Sequence, residues 1–157
     1  MHSRDEEYLR IAFAAARSAR HKGNHPFGAV LVDDLGNILL EAENAVVTTG
    51  DCTAHAETAL IKAASMKYDR QFLTRCTIYA STEPCPMCAG AIFWANIGRV
   101  VYGLSEEGLY ALTGDAAGEV LYLPCREILG KGNKVVEVVG PLLEDEARQV
   151  HAGFWIA

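Results

Sequence analysis

The sequence lacks a long apolar run, and its fully apolar stretches are only a few residues each. A helix that crosses a bilayer needs about 20 consecutive apolar residues, so no part of the chain is expected to span a membrane. The first residues, MHSRDEE, carry charge where a secretory signal would have its apolar core. Without an export signal, the expected location is the cytoplasm, where thiols stay reduced.

The sequence also lacks an excess of positive charge. It has 14 Lys and Arg against 20 Asp and Glu, which gives a formal net charge of -6. Proteins that bind nucleic acid usually present a basic surface, so the charge argues against a nucleic-acid partner and is compatible with a small-molecule one. The five cysteines are an odd number. In a reducing compartment, paired cysteines more often hold metal or perform chemistry than form disulfides.

The chain shows no repeat and no Pro-rich or Ser-rich linker, and its 157 residues suit one domain, taken as residues 1–157. Hydrophobic periodicity predicts an alternation of helices and strands that is typical of α/β/α layering around a mixed sheet. The predicted strands are 27–32, 38–42, 76–81, 99–103 and 135–139. The predicted helices are 4–22, 53–66 (with Thr53 as its N-cap), 86–96 and 142–154. Residues 45–52 are predicted as a loop, and 105–123 as an irregular connection with room for a short helix.

Two short segments carry the chemistry. The first is TAHAE, which contains His55 and Glu57, and the second is EPCPMC, which contains Cys85 and Cys88. Each segment lies near a predicted helix start. Cys85 and Cys88 are three residues apart, so on a helix they share one face and can bind one ion. Helix N-termini favour thiolates. With His55 as a third ligand from the other helix, the donor set suits zinc best.

The number of ligands indicates the kind of site. A structural zinc site normally has four protein ligands, whereas a catalytic site keeps a position for water. We find three ligands and no convincing fourth. Zinc lowers the pKa of its bound water from about 15.7 toward ~7. Glu57 can then take a proton from this water and pass it to a leaving nitrogen.

Each feature has an ordinary interpretation when it stands alone. A single histidine at a helix start is usually a cap or a packed side chain, and a single C-x-x-C pair serves equally in redox sites and structural fingers. The combination of His55-Ala56-Glu57 with Pro84-Cys85-Pro86-Met87-Cys88 is more specific. Together they match the known H-x-E and P-C-x-x-C signature of zinc nucleobase deaminases.

At these residues the chain resembles the cytidine-deaminase-like superfamily, in particular its guanine, small cytosine and tRNA adenosine deaminases. The resemblance also includes the segment 26–30, Asn44 and the segment 83–91. It implies a three-layer α/β/α fold with a central mixed five-stranded sheet, a homodimer and one Zn²⁺ per subunit. It further implies Glu57 as the proton shuttle in a hydrolysis that releases ammonia.

The same resemblance suggests substrate contacts. Asn44 would hydrogen-bond the heterocyclic ring, and Phe27 and Trp94 would line an aromatic pocket; the alternative for both aromatics is core packing. In relatives the C-terminal segment often closes the site. Here Phe154 and Trp155 would either form such a lid or pack on their own core.

The resemblance leaves the substrate open. The chain departs from the tRNA-acting branch at residues 104–114, and its C-terminal region carries Glu144, Asp145 and Glu146 beside one arginine, charges that would repel phosphate. A free base is therefore favoured over tRNA. The stretch 86–95 looks most like guanine deaminases, which makes guanine, converted to xanthine, the first expectation. Alternatives are cytosine, isocytosine, an amino-triazine, a tRNA adenosine, or a zinc-stabilised scaffold without activity.

Overall fold

A sheet of five strands forms the middle layer of the computed structural model, which describes residues 4–114 and 118–156. The strands are β1 (Gly28–Val32), β2 (Ile38–Glu43), β3 (Thr77–Thr82), β4 (Arg99–Leu104) and β5 (Glu137–Val139). Their spatial order is β2-β1-β3-β4-β5. Strand β1 runs antiparallel to β2 and β3, whereas β3, β4 and β5 are parallel. The predicted α/β class with a mixed five-stranded sheet is confirmed.

Helices cover both faces of this sheet. They are α1 (Asp5–His21), α2 (Val46–Thr49), α3 (Ala56–Lys67), α4 (Arg70–Leu73), α5 (Pro86–Ala95), α6 (Glu106–Thr113), α7 (Cys125–Gly130) and α8 (Glu144–Gln149). Strand β1 is buried along its whole length. Its Ala29 and Leu31 pack in the cluster that includes α3 and α5, whereas Val30 and Val32 pack in the cluster that includes α1. Alternation along a strand thus produces the three layers.

A buried ion pair fixes the start of α1 to the sheet. The guanidinium of Arg99, on β4, donates to both carboxylate oxygens of Asp5 at 2.8 and 2.7 Å. Tyr79, on β3, donates to the same carboxylate at 2.8 Å. Neither an isolated buried carboxylate nor an isolated guanidinium would be tolerated there, so the paired geometry specifies how α1 lies on β3 and β4.

The structure corrects the predicted start of the second long helix. Helix α3 begins at Ala56 with His55 as its N-cap, not with Thr53. The backbone N–H and the hydroxyl of Thr53 both donate to the Asp51 carboxylate, at 2.8 and 2.7 Å, so Thr53 belongs to the preceding turn. This places His55 in extended backbone conformation, directly at the helix entrance.

Other boundaries differ where the elements are short. The predicted loop 45–52 contains α2, and α4 and α7 were not predicted. The last helix has six residues in place of the predicted 142–154, because Leu143 adopts a left-handed conformation before it and turns follow it. Helix α6 lies in the predicted connection 105–123, of which residues 115–117 are outside the described part of the chain.

The fold brings both sequence motifs to one edge of the sheet. Cys85 and Glu106 follow the carboxyl ends of the parallel strands β3 and β4, and Phe27 precedes the antiparallel β1. Ligands of open α/β sheets usually bind at this edge. Among the described residues, no helix has both the length and the apolar character needed to cross a bilayer.

Candidate active site

His55 is held by the turn that precedes α3. Its backbone N–H donates to the Thr53 carbonyl at 2.8 Å, and its own carbonyl accepts from Thr58 at 3.1 Å. The N–H of Ala45 donates to the Ala54 carbonyl at 3.0 Å, which ties this turn to the end of β2. These bonds fix the backbone of His55 at the helix entrance.

Cys85 and Cys88 lie at the start of α5. Cys85 is the N-cap, and Pro86 occupies the first helical position, where a missing N–H has no cost. The N–H of Ala89 donates to the Cys85 carbonyl at 2.8 Å, which closes the first turn. As the spacing predicts, both thiols then face the same side of the helix.

These three side chains form a group that fits a metal ion. Nδ1 of His55 lies 3.5 Å from the sulfur of Cys85 and 3.5 Å from the sulfur of Cys88. A tetrahedral zinc with ordinary bond lengths would separate such atoms by about 3.6 Å. Among the described His, Cys, Asp and Glu side chains, these three form the ligand group and no fourth lies close enough to join it. The donor set therefore fits Zn²⁺, with the ligand number of a catalytic site.

The electrostatics of the group favour a preformed thiolate. Hydrogen bonds from the Cys88 thiol and then from the His55 ring lower the pKa of Cys85 to about 4. The same bond to Cys85 raises the pKa of His55. Cys85 is thus a ready anionic ligand at neutral pH, since the thiolate is the form that binds metal.

Glu57 lies on the first turn of α3, and its side chain lines a cavity of about 300 Å³ together with His55 and Cys85. Glu57 is 7% exposed. Burial raises the pKa of its carboxyl to about 7, and the negative charge of Cys85 adds to the increase, while His55 opposes it. A carboxyl group poised near neutrality can both accept and return a proton, which is the requirement for a shuttle.

The cavity contains two further buried carboxyl groups that the sequence analysis did not single out, Glu83 and Glu106. Glu83 accepts backbone hydrogen bonds from Glu106 at 2.9 Å and from Cys125 at 2.8 Å. Glu106 is 1% exposed, and neither of its carboxyl oxygens has a hydrogen-bond partner among the described residues. Burial and the charge of Glu83 raise its pKa to about 8. An acidic residue in the first turn of a helix normally suggests a solvated side chain, so no sequence signal marked it.

The predicted substrate residues fall into different places. Phe27 lines the cavity, as does Trp155, with ring centroids 6.4 Å apart. Asn44 is buried and is not among the residues that line the cavity; its backbone N–H donates to the Phe27 carbonyl at 3.0 Å and its side-chain oxygen accepts from the Val46 N–H at 3.1 Å. The structure does not bring Trp94 to this cavity. Its side chain lies on the outer face of α5 and is 74% exposed, because the inner face of α5 packs through Ile92.

The C-terminal segment forms one wall of the cavity. The indole N–H of Trp155 donates to Nδ1 of His151 at 2.9 Å, and the Trp155 ring lies 5.8 Å from the ring of His25. His25 and Trp155 both line the cavity. The sequence suggested either a lid over the site or packing on the core. In the structure, Trp155 lines the cavity and also packs against the core cluster that includes α1.

Comparisons with known proteins identify the motif at family level. Residues 2–104 match the cytidine and deoxycytidylate deaminase zinc-binding region. A probable cytosine deaminase of Schizosaccharomyces pombe is 47% identical over 154 residues, which are 97% of this chain and 93% of that protein. Guanine deaminase of Bacillus subtilis is 44% identical over 98 residues, 62% of each chain.

A solved structure shows the same fold. It comes from studies of A-to-I editing by tRNA:A34 deaminases at the wobble position, and it superposes with a TM-score of 0.72 and 31% sequence identity over 92% of this chain and 99% of that chain. The relatives therefore share a reaction class, whereas their names give three different bases as substrates.

Proposed function

The chain belongs to the cytidine and deoxycytidylate deaminase family of zinc-dependent deaminases, and from this premise we propose that it removes the amino group of a free nucleobase by hydrolysis, with cytosine as the first substrate to test. The observation that supports this most strongly is the buried Glu57 carboxyl beside the three-member ligand group, on a cavity with an aromatic wall. A deaminase requires this combination, whereas a zinc-stabilised scaffold does not.

The chain supplies the groups that move the proton and orient the ring. Zinc held by His55, Cys85 and Cys88 would supply Lewis acidity that lowers the pKa of a coordinated water toward about 7. Glu57 accepts a proton from the attacking water and delivers it to the leaving nitrogen. One water is consumed, the C–N bond breaks, a carbonyl replaces the amine, and ammonia leaves.

The cavity walls suit a flat, polar and uncharged ring. Phe27 and Trp155 offer aromatic surface, and Glu106 offers a carboxyl group that no other described residue uses as a hydrogen-bond acceptor. A raised pKa keeps Glu106 largely neutral at pH 7, so it can donate to a ring nitrogen or carbonyl of the substrate. Asn44 lies beside Phe27, where an amide can match a ring edge.

Size and charge favour a free base over a nucleic acid. A cavity of about 300 Å³ is at the lower end of small-molecule sites. Sites for single-stranded nucleic acid combine stacking with a positively charged groove. Here no lysine or arginine is among the described residues that line the cavity, and the net charge of the chain is -6.

We place cytosine before guanine as a substrate because the similarity to the probable cytosine deaminase extends over more of this chain than the similarity to guanine deaminase. The 47% identity to the probable cytosine deaminase covers 154 residues, 97% of this chain, and so extends past residue 104 into the part of the chain that supplies Glu106. Guanine, the base favoured by the stretch 86–95, is the second candidate. It is supported by the 44% identity to guanine deaminase, which covers 62% of this chain.

The test is ammonia release by the zinc-loaded protein from a panel of substrates. The panel contains cytosine, guanine, isocytosine, an amino-triazine and a tRNA with adenosine at the wobble position. We expect ammonia from cytosine, and no inosine in the tRNA. Turnover of guanine alone would select the second candidate. Inosine formation without turnover of any base would replace the proposal by the tRNA alternative, and inactivity on the whole panel would remove it.

The variant Glu57→Gln separates catalysis from a scaffold role. Because glutamine cannot carry the proton, we expect turnover to fall by roughly 10²–10⁴-fold. Zinc content near one equivalent per chain, measured by elemental analysis, and the circular dichroism spectrum should remain those of the wild type. Unchanged turnover in this variant would contradict the shuttle role, as would the loss of zinc and fold together.

A further inference from the structure

Glu83 joins three separate parts of the backbone around the site. Its own N–H donates to the Leu104 carbonyl at 2.7 Å. Its Oε1 accepts from the N–H of Glu106 at 2.9 Å, and its Oε2 accepts from the N–H of Cys125 at 2.8 Å. Glu83 is 7% exposed, and both of these bonds are buried. One side chain therefore connects the end of β3 with the first residues of α6 and of α7.

The position of Glu83 gives these bonds a consequence for the site. Glu83 is two residues before Cys85, so the segment that carries it also carries a metal ligand. Helix α6 contributes Glu106, Leu109 and Tyr110 to the lining of the cavity. The Glu83 carboxylate thus links the segment that carries a metal ligand to the helix that forms part of the cavity wall.

The two helices need this carboxylate to different degrees. Helix α6 has its own N-cap, since the Ser105 hydroxyl accepts from Gly108 at 3.0 Å. Helix α7 begins after Pro124, which has no side-chain acceptor, so Glu83 provides from a distant part of the chain what a local cap normally provides. An anion opposite two helix N-termini is also favoured by the helix dipoles, and its bonds to N–H groups are charge-assisted.

We propose that Glu83 is a positioning residue for substrate binding: its two carboxylate oxygens hold α6 and α7 at a fixed distance from the Cys85 segment, so that the ring-binding wall is in place before substrate arrives. The proposal rests on the deaminase function proposed above. Glu83 itself need not touch the ring, because its effect reaches the substrate through Glu106, Leu109 and Tyr110.

The variant Glu83→Gln tests this with little change in shape. The amide oxygen can accept from one of the two backbone N–H groups, but its NH₂ group then faces the other, donor against donor. With the full zinc-loaded chain and the base that the wild type deaminates, we expect KM to rise by about tenfold or more, because one charge-assisted bond is lost. Zinc content should remain near one equivalent, and kcat should change by less than about threefold, since Glu57 and the ligands are unaltered.

Hydrogen–deuterium exchange gives a readout that does not depend on activity. In Glu83→Gln we expect faster exchange in the segments 105–113 and 125–130 than in the wild type, with or without substrate. The matched control is Tyr79→Phe, in the first half of β3, which removes the buried hydrogen bond that the Tyr79 hydroxyl donates to the Asp5 carboxylate. We expect the control to lower the melting temperature and to leave KM and the exchange of both segments unchanged.

The outcomes separate this proposal from the proposed function. If the wild type deaminates no base of the panel, the function fails, while the exchange comparison still tests the positioning. Unchanged KM and exchange in Glu83→Gln would overturn the positioning role, and so would a KM increase of the same size in Tyr79→Phe. If Glu83→Gln does not fold, Glu83→Asp replaces it, because aspartate keeps the negative charge on a side chain that is one methylene shorter. Increases in KM and in exchange that are smaller than those expected for Glu83→Gln would support the proposal. No increase in either quantity would overturn it.

Discussion

His151 lies buried against Phe27 and Trp155, two residues that line the cavity. It is 4% exposed, its ring centroid is 5.6 Å from that of Phe27, and its Nδ1 accepts from the indole N–H of Trp155. Accepting at Nδ1 requires the neutral form of the imidazole. Burial, with the positive charge of Arg20 as the smaller cause, lowers the pKa of His151 to about 4.

This lowered pKa predicts an acid-sensitive fold. The unfolded chain binds a proton at His151 near pH 6.5, whereas the folded chain binds it near pH 4, so the free energy of unfolding falls as pH drops through that interval. The contribution of this group is on the order of 3 kcal/mol. Urea unfolding between pH 7 and pH 4 should show a smaller loss of stability in His151→Gln than in the wild type. Parallel pH profiles for the two proteins would contradict this prediction.

At the residue scale, the sequence identifies those site residues whose positions depend on their spacing within a short segment. His55, Glu57, Cys85 and Cys88 were identified from two short segments, because three-residue and two-residue spacings at helix starts impose local geometry, and the structure brings all four together. The roles of Glu83 and Glu106 depend on contacts with residues distant in sequence. The structure places Trp94 outside this cavity, because its side chain lies on the exposed face of α5, and the sequence alone does not show which face of that helix meets the sheet.

At the scale of elements, the packing of α1 on β1 depends on Gly28. A Cβ at this position would overlap the carbonyl oxygen of Ala12 and would lie 2.5 Å from the N–H nitrogen of Ala16, both on the backbone of α1. Backbone atoms in a helix cannot move aside as a flexible side chain can. The first residue of β1, and with it Phe27 on the cavity wall, is therefore placed by the close approach of a helix to a strand.

The variant Gly28→Ala should therefore be destabilised. Overpacking of a well-packed core costs typically 1–3 kcal/mol, and we expect a loss of at least about that size, measured by urea denaturation. The matched control is Gly130→Ala in α7, where a Cβ would meet nothing within 4 Å. There, helix propensity favours alanine by about 1 kcal/mol, so stability should rise slightly or stay the same. A Gly28→Ala variant as stable as the wild type would show that α1 can shift away from β1.

The sequence predicted long elements better than short ones, for a physical reason. Helix α1 has 17 residues, enough to show a helical period, and strands β1 to β4 have five or six residues, enough for the shorter strand period. Helices α2, α4 and α7 have four to six residues, too few for a periodic signal, and they depend on their neighbours. The shortened α8 reflects the left-handed backbone of Leu143, a tertiary effect that no local propensity encodes.

At the scale of the whole molecule, the proposed metal site connects the two helices that cover one face of the sheet. His55 begins α3, whereas Cys85 and Cys88 begin α5, and the two motifs are 30 residues apart along the chain. A metal bound to all three side chains recognises a geometry that exists in the folded chain and not in the unfolded chain. Binding energy at this site therefore adds to folding stability.

Removal of zinc should lower the stability of the whole molecule. At free zinc about a thousandfold above Kd, binding stabilises the fold by about 4 kcal/mol, which for a chain of this size corresponds to a shift in Tm on the order of 10 °C. Calorimetry of the zinc-loaded protein should show this decrease in Tm after chelation, and readdition of zinc should reverse it.

The variant Cys52→Ser should respond to chelation as the wild type does, because Cys52 is exposed and outside the ligand group. His55→Ala, which lacks one ligand, should respond much less. Equal responses of His55→Ala and the wild type would mean that the metal is bound elsewhere and that α3 and α5 are held together by their apolar contacts alone.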